Sequence, residues 1–223
     1  MTAAHQHGAP AALTPSKSTP AWRLLVTLAL AGAMSGWLVV SVYKVTLPAV
    51  QKHAAEQMRA AVYEVLKAPA RWDTLYLVND ALTRTAPATA DMATVPMAFV
   101  GFDAAGNRLG VAITAAEPGF QELVTLMIGF DPASGTLIGF KVLDEKETPG
   151  LGDKIERDTA FGGQFAGRVA PLTGVKGRAG TPPSEVQTIT GATISSRAVI
   201  RIINNAVARW RPLLDAWDRE GAK

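Results

Sequence analysis

The chain has 223 residues, 22 Lys and Arg against 19 Asp and Glu, a net charge of +3 and no cysteine. Its three histidines, His5, His7 and His53, all precede residue 54, so the region beyond has no thiolate or imidazole for an iron–sulfur cluster, a haem, a His/Cys zinc site or a Ser-His-Asp or Cys-His centre. The weak positive charge is interspersed with acid and forms no aromatic-interleaved basic stripe, which argues against nucleic-acid binding, and any redox chemistry must rest on an organic cofactor.

Residues 1–21 are rich in Ala, Pro, Thr and Ser, bury too little apolar surface to offset ordering, and are expected to be a disordered tail. A transmembrane helix is expected over 22–44: residues 24–43 carry no charge, and about 20 residues at ~1.5 Å each match a hydrocarbon core of ~30 Å. Trp22, Trp37 and Tyr43, with Arg23 and Lys44 bracketing the run, suit interfacial anchoring. A cleaved signal peptide competes, because Ala29-Leu30-Ala31 and Ala31-Gly32-Ala33 have the small-x-small form. A cut there would leave an apolar core of about five residues, short of the usual ~7–15, so retention is favoured. Lys17 and Arg23 precede the span while Lys44, Lys52 and Arg59 follow it, so counting basic residues does not orient it. Over 45–70, Val50, Ala54, Met58, Ala61, Val62, Val65 and Leu66 recur at helical spacing and predict an amphipathic stalk that Pro69 ends.

The region 71–217 reads as one α+β domain, with 218–223 a C-terminal tail. Apolar runs at 97–102 and 109–114 flank the turn Asp103-Ala104-Ala105-Gly106-Asn107 and predict a hairpin. A second pair, 123–130 and 137–143, flanks Asp131-Pro132-Ala133-Ser134-Gly135. Residues 153–165 predict a helix with a glycine-weakened end, 186–189 a short strand, and 194–210 a helix that Pro212 interrupts or ends. Gly150-Leu151-Gly152 has no third glycine at the dinucleotide spacing, where Ile155 stands, and no phosphate-binding G-x-x-x-x-G-K-S/T is present; direct binding of NAD or ATP is not expected.

Two motifs remain. Glu147-Thr148-Pro149-Gly150-Leu151-Gly152 predicts a tight loop after a strand, whose glycines let backbone approach a flat ligand. Thr190-Gly191-Ala192-Thr193-Ile194-Ser195 precedes an apolar helical run and reads as a helix N-terminus, where free N–H groups and the positive dipole end suit a phosphate beside the Thr193 hydroxyl. The second motif also fits a plain cap, with Thr190 or Thr193 accepting from an N–H two or three residues on.

Together the motifs resemble those of the G subunit of the Rnf electron-transport complex and, more distantly, the C subunit of the sodium-translocating NADH:quinone reductase. The resemblance spans roughly residues 20–215. It implies a single N-terminal transmembrane helix followed by a soluble α+β domain that binds FMN covalently, by a phosphoester to Thr193. Under it Glu147, Thr148, Gly150, Leu151 and Gly152 cover the isoalloxazine, Glu117-Pro118-Gly119-Phe120 lies near it, and Thr190, Gly191, Ala192 and Ser195 serve the phosphate or the cap. It further implies electron relay within a translocase that couples ferredoxin–NAD electron transfer to ion movement, other membrane subunits as partners, a flavin transferase for maturation, and an inner-membrane protein with a cytoplasmic N-terminus and a periplasmic C-terminal domain. Where the family often has an acid three positions before the first threonine of the motif, this chain has Gln187, with Glu185 nearby. Three other readings stay open: an FMN carrier of the quinone-reductase type, a domain that binds FMN reversibly, and a flavin-free structural assembly module.

Overall fold

The protein is described here by a computed structural model over residues 20–87, 95–177 and 183–221. The expected disordered tail lies outside these residues apart from its last two positions. The chain divides into two compact units, Met1–Lys52 and His53–Lys223. The described part of the first is helical: α1 (Ala21–Val65) begins here, holds Pro48 within it, and contains an 18-residue window of mean hydropathy 2.0 with none of it buried. It is long and apolar enough to cross a membrane.

The second unit is built on a six-stranded antiparallel sheet in the order β2-β1-β3-β4-β5-β6. The strands are β1 (Arg71–Val78), β2 (Ala81–Thr83), β3 (Met97–Phe102), β4 (Arg108–Pro118), β5 (Leu123–Phe130) and β6 (Leu137–Asp144). Both expected hairpins form. The β1–β2 hairpin was not anticipated; Asn79 and Asp80 at its turn have φ of 50° and 60°, the left-handed pair of a type I′ turn.

Period-2 alternation in the central strands feeds two cores. Ala98, Val100, Val111, Ile113, Leu126 and Ile128 face α4 (Thr193–Gly221), which presents Val199, Ile202, Ile203, Ala206, Trp210 and Leu214 at helical spacing. Phe99, Ala112 and Met127, one residue out of phase, pack on Ala61, Val62, Val65 and Leu66 at the end of α1. Gly129 and Gly101 let that end lie close on the sheet: a Cβ on Gly101 would come within 2.7 Å of Leu66 Cδ1, and one on Gly129 within 3.1 Å of the Val65 carbonyl.

Three sequence expectations are corrected. The stalk helix stops at Val65, ahead of Pro69, because Lys67 and Ala68 turn left-handed (φ 58° and 61°) and Ala68 N bonds Tyr63 O at 2.8 Å, a helix-ending cap usually built on glycine. The helix expected over 153–165 is two short ones, α2 (Lys154–Arg157) and α3 (Thr159–Gly163). Asp158 is extended between them and its carboxylate accepts from Ala160 N and Phe161 N at 2.9 and 3.1 Å, a local bond that competes with helix continuation. Finally, α4 runs through Pro212 to Gly221, beyond the expected stop. An interior proline costs about 3 kcal/mol. Here it is offset by complete burial of Leu214, by Arg211 donating to the carbonyls of Pro132 and Ala133 at 3.0 Å each, and by the 2.6 Å ion pair of Arg108 with Asp218.

Two short strands, β7 (Thr173–Val175) and β8 (Glu185–Gln187), pair in parallel. Strand β8 starts one residue before the expected 186–189 strand and ends two residues earlier. Phe161 and Phe165 stack edge-on against each other at 5.1 Å, and Phe165 against Phe140 of β6 at 4.6 Å, anchoring the α2–α3 segment to the sheet. The loop between β6 and α2 is therefore held at both ends.

Candidate functional site

Three segments converge on a cavity of about 300 Å³: the loop after β4, the loop after β6, and the first turn of α4. In the β6 loop, Leu151 N and Gly152 N both donate to Thr148 O, at 3.1 and 2.9 Å, and Gly150 has φ +77°. Pro149 and Gly150 thus occupy the central positions of a type II turn, the residues that turn favours. The turn projects Leu151 outward, 48% exposed, while Gly152 is buried.

The α4 end is built similarly. Gly191 has φ +86°, and Ala192 N bonds Ile189 O at 3.1 Å. Buried Ser196 ties this turn to the helix: its Oγ donates to Ala192 O at 2.8 Å and accepts from Ile189 N at 3.1 Å. Ser196 N closes the first helical bond, on Ala192 O at 2.9 Å. The N–H groups of Thr193, Ile194 and Ser195 precede it, at the positive end of α4. The half-buried Thr193 hydroxyl has no hydrogen-bond partner among the described residues. The cap alternative for this threonine therefore has no bond to rest on; Ser196 performs the tie.

Glu147 holds the three segments together. It is only 4% exposed; its Oε1 accepts from Phe120 N at 2.8 Å and Gln121 N at 3.2 Å, and its Oε2 accepts from Ser195 Oγ at 2.5 Å. Gln121 Nε2 adds a 3.0 Å bond to Thr148 Oγ1. The β4 end is fixed to α4 from outside: Arg201 Nε and Asn205 Nδ2 donate to the two Glu117 oxygens at 3.0 and 2.8 Å, and Arg201 also donates to Pro118 O. At the rim, the 2.9 Å bond from Lys146 to Glu122, and then the charge of that carboxylate, raises the Lys146 ammonium above the ordinary lysine range.

The structure brings Glu147, Thr148, Leu151, Gly152, Gly191, Ala192, Thr193 and Ser195 into the cavity wall, joined by Phe120 of the loop expected nearby. It does not bring Gly150 or Thr190 there: Gly150 serves the turn, and Thr190 is exposed outside the lining. Arg197 is exposed and leans toward Gly174 of β7. Sequence reasoning passed over Ile194, which lines the cavity and is 58% exposed; a large apolar residue beside Thr193 was the available signal. With Phe120 (59%) and Leu151 it forms an apolar rim, suited to a flat ring system rather than a small polar substrate.

A family model for the FMN-binding domain matches residues 119–208. The G subunit of the ion-translocating oxidoreductase complex of Methanosarcina acetivorans is 30% identical over 194 residues, covering 86% of this chain and 95% of that protein. The chain belongs to this G-subunit family. A second relative, the G subunit of the proton-translocating ferredoxin:NAD(+) oxidoreductase complex of Clostridium ljungdahlii, is 36% identical over 104 residues, 46% of this chain and 54% of its own length. The fold is similar to that of the crystal structure of Shewanella oneidensis NqrC, which superposes with a TM-score of 0.59 at 15% identity over 72% of this chain and 97% of that one. The matched 119–208 stretch contains all three cavity walls. The residues present fit FMN: a Thr193 hydroxyl with no partner among the described residues, beside the N–H groups that precede the first helical bond, for a phosphate, and an apolar rim for a ring.

Proposed function

We propose that this chain carries FMN on Thr193 and relays electrons as the membrane-anchored G subunit of an ion-translocating oxidoreductase complex that couples ferredoxin–NAD electron transfer to ion movement. The observation that carries this reading is the Thr193 hydroxyl at the N-terminus of α4, without a partner among the described residues, inside a cavity with an apolar rim. The ester between Thr193 Oγ1 and the FMN phosphate would be made by a separate flavin transferase from a flavin pyrophosphate donor: the threonine oxygen attacks the flavin-side phosphorus, the P–O–P bond breaks, a nucleoside monophosphate leaves and the hydroxyl proton goes to a base of the transferase. The N–H groups of Ile194 and Ser195 would be available to the remaining phosphate oxygens. Bound FMN supplies reversible electron transfer, which no side chain here provides.

The chain's own residues hold, orient and shield. Leu151, Phe120 and Ile194 would exclude water from the ring, the Pro149–Gly150 turn sets Leu151 outward for that contact, and Glu147 keeps the walls in register. NAD and ferredoxin are handled by other subunits, since this chain has no dinucleotide fingerprint. The apolar part of α1 anchors the protein in the inner membrane with the flavin domain on the periplasmic side. A reading as the C subunit of a quinone reductase has the fold likeness in its favour, whereas the relatives matched over most of their length are G subunits.

The test is in-gel flavin fluorescence after denaturation, for wild type and Thr193→Val, each co-expressed with a flavin transferase and exported. A fluorescent wild-type band that goes dark in Thr193→Val is expected. A fluorescent Thr193→Val band, or a dark wild type that stays dark as Gln187→Asp, would overturn covalent attachment at this residue.

A further inference from the structure

We infer that the Glu147 carboxylate is a fixed negative charge that lowers the reduction potential of the flavin in this cavity, and that the Ser195 hydroxyl partly offsets it. The inference rests on the reading that FMN occupies the site. Glu147 lines the cavity, is 4% exposed, and accepts three hydrogen bonds, all from neutral donors. Among the described residues no Lys, Arg or His forms an ion pair with it. The bonds disperse its charge without cancelling it. The bond from Ser195 Oγ, at 2.5 Å, is the shortest of the three.

The seat is also shaped for this group. A Cβ on Gly119 would run into Glu147 Oε1, and one on Gly152 would sit 2.8 Å from Oε2. Two loops thus leave room at adjacent positions for one carboxylate. Burying an uncompensated charge costs stability unless it is well bonded, and such departures from a stable core concentrate at functional sites. A neutral side chain with the same hydrogen-bonding reach would tie the walls together as well; what the carboxylate adds is charge.

Adding two electrons and one proton to an isoalloxazine leaves it with one net negative charge. A carboxylate in the same wall opposes that gain, because like charges repel strongly where water is excluded. The Ser195 O–H dipole points its positive end at the carboxylate and softens the repulsion. Glu147 acts here as a positioning and tuning residue and takes no part in moving electrons.

The experiment is a spectroelectrochemical titration of the flavin absorbance in full-length protein in detergent, after co-expression with a flavin transferase, for wild type, Glu147→Gln and Ser195→Ala. Glu147→Gln is expected to raise the midpoint, with about a tenfold higher reduced-to-oxidised ratio at fixed potential, which is ~30 mV for a two-electron couple. Ser195→Ala is expected to lower it. A purely structural role predicts no such opposition of sign. Two loaded variants whose midpoints stay at the wild-type value, or move in the same direction, would overturn the inference. If Glu147→Gln fails to load, Ser195→Ala decides: a lowered midpoint supports the inference, and an unchanged or raised one refutes it. A wild type without flavin would instead defeat the FMN reading and this inference with it, so the two failures are told apart by the fluorescence of the wild-type band.

Discussion

A single added methyl at Gly152 tests how tightly the cavity wall is built. A Cβ there would lie 2.7 Å from Glu147 Cβ, 2.8 Å from Glu147 Oε2 and 2.9 Å from Ser195 Oγ. Contacts this short force movement. Glu147 Cβ is tied to the backbone, and the carboxylate is pinned by Phe120 N, Gln121 N and Ser195 Oγ, so the relief must come from breaking the Ser195 bond or shifting the loop. Overpacking costs about 1–3 kcal/mol, and a hydrogen bond to a charged group is worth about 1.5–3 kcal/mol. The two losses overlap, so Gly152→Ala is expected to destabilise the domain by about 3 kcal/mol, lowering Tm by roughly 6–12 °C at ~2–4 °C per kcal/mol. Flavin loading should fall with it. The control is Gly162→Ala in α3, where an added Cβ meets nothing within 4 Å; a helical Gly→Ala change in open space is neutral or stabilising by up to about 1 kcal/mol. Thermal melts followed by circular dichroism compare the two. A Gly152→Ala protein within ~0.5 kcal/mol of wild type, or an equal loss at Gly162, would refute the crowding argument.

Gln187→Asp restores the acid that the family often has ahead of the motif and should raise the flavin-to-protein ratio under limiting transferase, read as gel fluorescence over time. Asp80→Gly in the β1–β2 turn, where φ is 60°, should stabilise the domain by about 0.5–1 kcal/mol, since glycine carries no left-handed penalty; a lower urea midpoint would contradict the turn geometry. Asn204 holds both backbone groups of Leu172, accepting from its N at 2.6 Å and donating to its O at 2.9 Å, so Asn204→Ala should cost about 2 kcal/mol in urea unfolding. The Ser134 hydroxyl holds the Asp131 carboxyl below its ordinary range. Its stabilising contribution is therefore complete above the ordinary aspartate pKa and lost as pH falls through the lowered one; Asp131→Asn should flatten the acid limb of stability over that window, measured by urea unfolding across pH.

The β5–β6 hairpin and both loop motifs were legible because each is written locally: Asp131 to Gly135 is turn chemistry between alternating runs, and Thr148-Pro149-Gly150-Leu151 is a type II turn in residue code. The β1–β2 hairpin escaped notice because Asn79-Asp80 lacks the glycine that usually marks such a turn, although the alternation over Arg71 to Val78 was available. The split of α2 from α3 escaped because Asp158 is unremarkable in a helix unless its carboxylate finds Ala160 N and Phe161 N. Pro212 misled for the opposite reason, since the partners that hold the helix past it, Arg108, Pro132 and Ala133, are far away in sequence.

By itself the sequence determined the apolar span, the α+β character, the lack of thiolate and imidazole side chains beyond residue 53, and the pair of glycine turns with Thr193 at the head of a helix. These follow from composition and short-range spacing. Only the tertiary structure decided what each group in those turns does: Ser196 ties the α4 turn, which leaves Thr193 unpartnered; Ser195 goes to Glu147; and Glu147 turns away from solvent to bind the Phe120 loop. The Ser196 tie is local, but the Ser195 and Glu147 bonds depend on segments dozens of residues apart meeting within 3 Å or so, and the meeting is set by the sheet register and by how α4 packs across it.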